Sequence, residues 1–189
     1  MEKNSNVKKY LFKIVLTAIL VALNVIMERF MSYNVWNMSI GFSFITIGFA
    51  ATYLGIPYSI GVAALGDLIG ALLFPFGAYF PGFTLTNAIV GLVLGIFLYK
   101  STNIFKITLA VLINKVFCTL LLNSIWISIL YRGGIDALWT VMIPRIVTTI
   151  PMFIIEILVL TLLFSNKYLV VKFSFKENKV KKQIQKLFD

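Results

Sequence analysis

Six apolar stretches follow one another along this chain with almost no polar sequence between them, at about 11–30, 39–54, 58–74, 84–99, 105–130 and 141–165. A helix needs ~20 predominantly apolar residues to cross ~30 Å of hydrocarbon, and each stretch approaches that length. One soluble core cannot absorb so much apolar surface: 60% of the residues are hydrophobic and 13% charged, against ~45–50% apolar in soluble domains. The expected fold is an all-α membrane protein with six transmembrane helices. Connections such as Gly55-Ile56-Pro57 and residues 100–104 leave no room for a second domain. Residues 1–10 and 166–189 therefore flank a single transmembrane domain over 11–165. The first stretch has the charged lead-in of a signal peptide, but its long apolar part lacks a small-residue cleavage pattern, which predicts a retained helix.

Lysine placement predicts the orientation. Lys3, Lys8, Lys9, Lys13, Lys100, Lys106 and the tail from Lys167 to Lys186 fall on the side of both termini, whereas the other side carries Arg29, Arg132 and Arg145. By the positive-inside rule both ends are expected in the cytoplasm. The same bias, with attraction to anionic lipid, accounts for the net charge of +10 without a nucleic-acid partner. What is missing bounds the chemistry. There is no histidine, and the single cysteine, Cys118, lies inside an apolar stretch. Ser-His and Cys-His dyads, His-ligated metals and an intramolecular disulfide are thereby removed. No G-x-x-x-x-G-K-[ST] phosphate loop occurs either, so ATP-driven work would fall to partner subunits. The expectation is a protein that is not an enzyme and carries no cofactor.

Candidate binding residues cluster at the ends of the stretches. The run Gly66-Asp67-Leu68-Ile69-Gly70 continues to Thr84 through a hairpin rich in Pro, Gly and aromatics. At the mouth of a membrane bundle Phe76, Tyr79, Phe80 and Phe83 can line a pocket for a flat ligand. Pro75 to Phe83 reads as a lid, stiffened by Pro75 and Pro81 and turned at Gly77 and Gly82. Arg29, Arg132, Arg145, Trp126 and Tyr131 stand at the same ends, and two readings are open. They form an interfacial belt of anchoring aromatics and snorkelling arginines, or a pocket that stacks a ring and grips a carboxylate with the arginine fork.

The interior of the stretches is informative too. On an α-helix Lys115, Thr119, Asn123 and Trp126 share an arc of roughly 80°, a polar stripe that belongs against protein or water. Asn123 can bond a ligand's edge with Trp126 on its face, or both can serve interhelical packing. Counting ~1.5 Å per residue puts Asp67, Lys115 and Glu156 all ~14–15 Å deep. An unpaired charge there costs at least ~2.5–3.5 kcal/mol, so Lys115 is expected to pair with Asp67, Glu156 or both, as a structural clamp or an ion or proton site. Ala18 and Ala22, four apart, offer a small-residue face for helix docking.

Residues 66–84 closely resemble the third-to-fourth helix hairpin of the folate-type S components, the substrate-binding subunits of energy-coupling factor (ECF) vitamin transporters. Glu28-Arg29-Phe30, Gly41-Phe42-Ser43-Phe44, Leu121 to Tyr131 and Pro144-Arg145 look like the same family, so the likeness covers most of 11–164. The resemblance implies a six-helix bundle in a bacterial cell membrane that takes folate from outside, joined to a transmembrane coupling subunit and two ABC-type ATPases. It implies contact of Ala18 and Ala22 with that coupling subunit. For the ligand it implies Arg29, Tyr79, Phe80, Phe83, Thr84, Asn123, Trp126, Tyr131 and Arg145, the two arginines suiting folate's glutamate carboxylates. The sixth stretch departs from the family pattern at Thr148, Ile154 and Glu156, with its proline at Pro151. Rival readings are an S component for another vitamin or pterin-like precursor, an intramembrane enzyme using Asp67 and Glu156, and an interaction protein without a small ligand.

Overall fold

A computed structural model describes residues 2–35, 38–75, 77–101, 103–131 and 134–164. Trp36, Phe76, Arg132 and the tail 166–189 lie outside the described residues. The first helix, α1 (Glu2–Arg29), contains the apolar stretch Tyr10–Arg29. Together with Ile56–Leu73, Pro81–Leu98, Ile104–Tyr131 and Ile135–Phe164, it makes five helices long and apolar enough to cross a membrane.

The second expected span is different. Its first residues form a strand, β2 (Met38–Ile40), paired antiparallel with β1 (Tyr33–Val35) so that Tyr33 faces Ile40 and Val35 faces Met38. The helix that follows, α2 (Ser43–Leu54), is therefore no longer than ~18 Å. Its last five residues, Ala50–Leu54, are π-wound. It stops at Gly55, whose φ of 102° lies in the left-handed region that glycine adopts freely. The next helix, α3 (Ile56–Leu73), starts at once, with Pro57 in its first turn, where a missing N–H costs nothing.

The same device shortens the lid. Pro81 opens α4 (Pro81–Leu98), so Phe83 and Thr84 belong to a helix and the connecting loop ends at Phe80. Gly77 and Gly82 are not turn formers either, since the described glycines with positive φ are Gly55 and Gly134. They make room: a Cβ at Gly77 would lie 2.7 Å from the Tyr131 hydroxyl, and one at Gly82 2.8 Å from the Trp126 ring.

The fifth helix, α5 (Ile104–Tyr131), is capped by Asn103, whose side chain accepts the Phe105 N–H at 2.9 Å. Its middle, Asn114–Leu122, is π-wound, a geometry frequent at functional sites. A 3₁₀ turn, Ile135–Ala137, leads into α6 (Leu138–Phe164), which carries Pro144 and Pro151 inside it.

Close packing fixes the first four helices. Ser59 on α3 donates to the Gly91 carbonyl of α4 at 2.8 Å. A Cβ at Gly91 would stand 2.5 Å from the Ser59 carbonyl oxygen, and one at Gly95 2.9 Å from Ile56 Cα. Two backbones touch through this G-x-x-x-G seam, a main source of helix association in lipid. Asn24 of α1, only 1% exposed, accepts a hydrogen bond from Thr46 of α2 and occupies the space that Gly66 leaves on α3.

The apolar core, including Ile47, Leu54, Val62, Leu98, Ile107 and Phe164, gathers where α2, α4 and α6 stop and α3 and α5 begin. The opposite end, where α1, α3 and α5 stop, is hollow.

Candidate ligand-binding cavity

The hollow end holds a cavity of about 710 Å³ to which all six helices and the α3–α4 loop contribute. Small-molecule sites typically measure ~300–1,000 Å³. Helix ends supply its charges, because a long side chain there can bend inward while its stem stays in apolar surroundings.

Arg29, at the end of α1, lies along α3 in the space left by Gly70, and its Nη2 stands 3.9 Å from Asp67 Oδ1. Thr84 on α4 donates to Asp67 Oδ2 at 2.6 Å, and the Tyr79 hydroxyl of the loop is 3.2 Å from Thr84 Oγ1. Deeper in, Lys115 Nζ pairs with Glu156 Oε1 at 2.5 Å. The expected trio of charges is thus divided: Glu156 takes Lys115, and Asp67 takes Arg29. Equal depth along the helices groups the three, but α3 packs against α1, and Asp67 faces Arg29.

Arg145 has a different environment. It is 8% exposed, and its Nη1 reaches the Thr119 carbonyl at 3.4 Å and the Ser124 hydroxyl at 3.3 Å. Among the described residues no carboxylate lies within 4 Å of it; the ion pairs are Arg29–Asp67 and Lys115–Glu156. Beside it on α5, Asn123 lines the cavity with a buried Oδ1 that has no hydrogen-bond partner among the described residues. An unmatched cation next to an unmatched acceptor, both buried, is costly unless a ligand completes it.

The aromatic wall is made of Phe80, Phe83, Tyr79 and Tyr131. Phe80 and Phe83 meet edge-on at 6.2 Å. Trp126 does not line the cavity; it supports the wall from behind, its ring 5.4 Å from Phe80 and its Nε1 donating to Thr86 Oγ1 at 3.0 Å. The expected α-helical stripe breaks at this point. Lys115, Thr119 and Asn123 face the cavity, and the π-wound segment carries the first two. Thr84 likewise stands behind Asp67 rather than on the surface. Residues passed over as site residues in the sequence include Glu28 and Asn87, both on the cavity wall. Glu28 carried a signal all the same, a second acid beside Arg29 at the end of an apolar helix.

Ala18 and Ala22 lie elsewhere. With Ile14, Thr17, Val21 and Val25 they form one side of an apolar groove of about 480 Å³, and Tyr58, Leu65 and Ile69 of α3 form the other.

Residues 12–164 match the family model for the ECF transporter, substrate-specific component. The chain belongs to that family. The folate transporter FolT of Clostridium novyi (strain NT) is 34% identical over 145 residues, 76% of this chain and 82% of that protein. The folate transporter FolT of Leuconostoc mesenteroides subsp. mesenteroides is 30% identical over 157 residues, 81% and 84% of the two chains. A crystal structure of FolT bound with folic acid is similar in fold, with a TM-score of 0.74 and 32% identity over 82% of this chain and 92% of that one. The S component is thus a multi-pass membrane transport subunit and not an enzyme. Its departures in the sixth span also find a place. Glu156 is the partner of Lys115, Thr148 donates to the Arg145 carbonyl at 3.1 Å, and Ile154 is exposed on the outer surface of α6.

Proposed function

We propose that this S component captures folate from outside a bacterial cell and releases it inward after docking to a coupling subunit served by two ABC-type ATPases. Arg145 carries the reading: a buried guanidinium without a carboxylate partner among the described residues, on a cavity walled by aromatic rings. Folate answers both features, since it joins a flat pterin and benzoyl group to a glutamate with two carboxylates. Arg145 would hold one carboxylate and Arg29 the other, with Phe80, Phe83, Tyr79 and Tyr131 against the rings and Asn123 Oδ1 accepting a ligand N–H. Thr84 and Trp126 would act by positioning Asp67 and Phe80. The likeness to FolT proteins supports the same ligand.

Six spans, with α2 as a short one, and both termini in the cytoplasm fit the lysine distribution. On this reading residues 11–165 are the substrate-binding domain and 166–189 a basic cytoplasmic tail. The groove along Ala18 and Ala22 would receive the coupling subunit, because small residues let a partner helix approach closely.

The test is a titration of detergent-purified protein with folic acid and 5-formyltetrahydrofolate, followed by tryptophan emission, with riboflavin, thiamine and biotin as controls. Saturable quenching by folates alone is expected. A response to a control vitamin alone would keep the family and replace the ligand. Silence to every vitamin from folded protein would favour an interaction role.

A further inference from the structure

We infer that the Lys115–Glu156 pair reads the oxo edge of the pterin ring, and so selects 4-oxo pterins over their 4-amino analogues. The inference rests on the folate reading above and adds to it the direction in which the ligand lies.

The pair is complete in charge but not in hydrogen bonds. Lys115 Nζ and Glu156 Oε1 stand 2.5 Å apart, which cancels the two charges. That contact occupies one of the three N–H donors of an ammonium and one of about four acceptor positions of a carboxylate. Among the described residues neither group has a second hydrogen-bond partner. Both line the cavity, and each side chain is 12% exposed. Polar groups with open valences in so buried a place favour a ligand that fills them. A pair of zero net charge suits a neutral ring, as the arginines suit carboxylates.

Position sets the direction of the ligand. Arg145 and Glu156 both lie on α6 and both line the cavity. Their spacing in the chain is three helical turns to within ~20°, which puts them on one face with ~16 Å of rise between them. Arg145 is the nearer to the open end, where α1 stops at Arg29. A long ligand whose carboxylates meet the two arginines therefore lies with its other end, the pterin, against Lys115 and Glu156. Asn123, farther out along α5 than Lys115, then meets an N–H of the linker.

The order of donors and acceptors sets the selection. Along one edge a 4-oxo pterin presents an acceptor, O4, and two donors, N3–H and the 2-amino group. The pair presents the complement: a Lys115 N–H donor followed by the two Glu156 oxygens, a fork that a carboxylate offers to paired N–H groups. A 4-amino pteridine reverses two of the three positions, setting an amino group against the ammonium and the N3 lone pair against the carboxylate. Glu156 is also one of the places where the sixth span departs from the family pattern, so the selection belongs to this chain's own residues.

Folic acid and aminopterin differ only in this edge, and tryptophan quenching of the detergent-purified full chain gives the affinity for each. Aminopterin is expected to bind at least ~30-fold more weakly, from two mismatched buried contacts. Lys115→Met with Glu156→Gln removes both charges together, and the gap is expected to close almost completely. Glu156→Gln alone is expected to narrow it, and serves if the double variant does not fold. Arg145→Ala is expected to weaken both ligands by the same factor, since the carboxylate contact is common to them and lies apart from the edge. Equal affinities in the unmodified chain, a preference for aminopterin, a gap undiminished in both pair variants, or a gap removed by Arg145→Ala would overturn the inference. A response to neither ligand from folded protein would instead reject the folate reading, and the inference with it.

Discussion

Arg145 and Lys115 are buried cations in one cavity, yet their neighbours give them opposite tasks. Arg145 touches only neutral acceptors among the described residues, so its charge is available to a ligand. Arg145→Ala is expected to weaken folate binding about 30-fold or more, from the ~2 kcal/mol or more lost with a desolvated charge pair, while thermal stability changes little. Fluorescence titration beside a melting curve checks both halves. Lys115 is spent on Glu156. Lys115→Met leaves a buried carboxylate alone, at ~3–5 kcal/mol, a fall in Tm of roughly 6–20 °C for a chain of this size. Adding Glu156→Gln is expected to restore much of it and adding Asp67→Asn is not; equal effects of the two would count against the pairing. The sequence made the depth of these charges readable because helical rise is constant. It does not carry their azimuth, which depends on neighbouring helices, and so the sequence leaves open which of Asp67 and Glu156 takes Lys115.

Individual helices were legible to different degrees. Five spans are visible as apolar runs, since lipid-facing side chains such as Leu72, Ile96, Leu158 and Leu162 must be apolar whatever their neighbours do. The second span reads too long because a strand of Met38–Ile40 is as apolar as a helix end. The π-winding of Asn114–Leu122 leaves no mark in composition, and it moves side chains enough to separate Trp126 from the rest of its stripe. The seam at Gly91 and Gly95 did leave a mark, a G-x-x-x-G within an apolar run, although the pattern alone does not name the partner helix. Gly91→Ala would push a Cβ to 2.5 Å from a backbone oxygen that cannot turn aside. A clear drop in melting temperature is expected, whereas Gly61→Ala, which meets nothing within 4 Å, serves as the silent control.

Over the whole molecule, the ligand cavity and the groove of Ala18 and Ala22 share no lining residue, the cavity taking only Glu28 and Arg29 from the end of α1. Capture and docking can therefore be separated by mutation. Ala22→Trp is expected to abolish co-purification with a coupling subunit while folate titration is unchanged; loss of both together would mean the groove shapes the cavity. A second division runs along the chain. Asn24 with Thr46, Ser59 with Gly91, and Arg29 with Asp67 and Thr84 are all ties within α1 to α4. Lys115 with Glu156 and Arg145 with Ser124 are ties within α5 and α6. Apolar packing joins the two sets, with Trp126 reaching across to Thr86. During synthesis the first four helices can thus settle against one another before the last two leave the ribosome. The chamber comes into being only when α5 and α6 arrive to close it, so a nascent chain halted at the α4–α5 turn would be well packed and have nowhere to keep a vitamin.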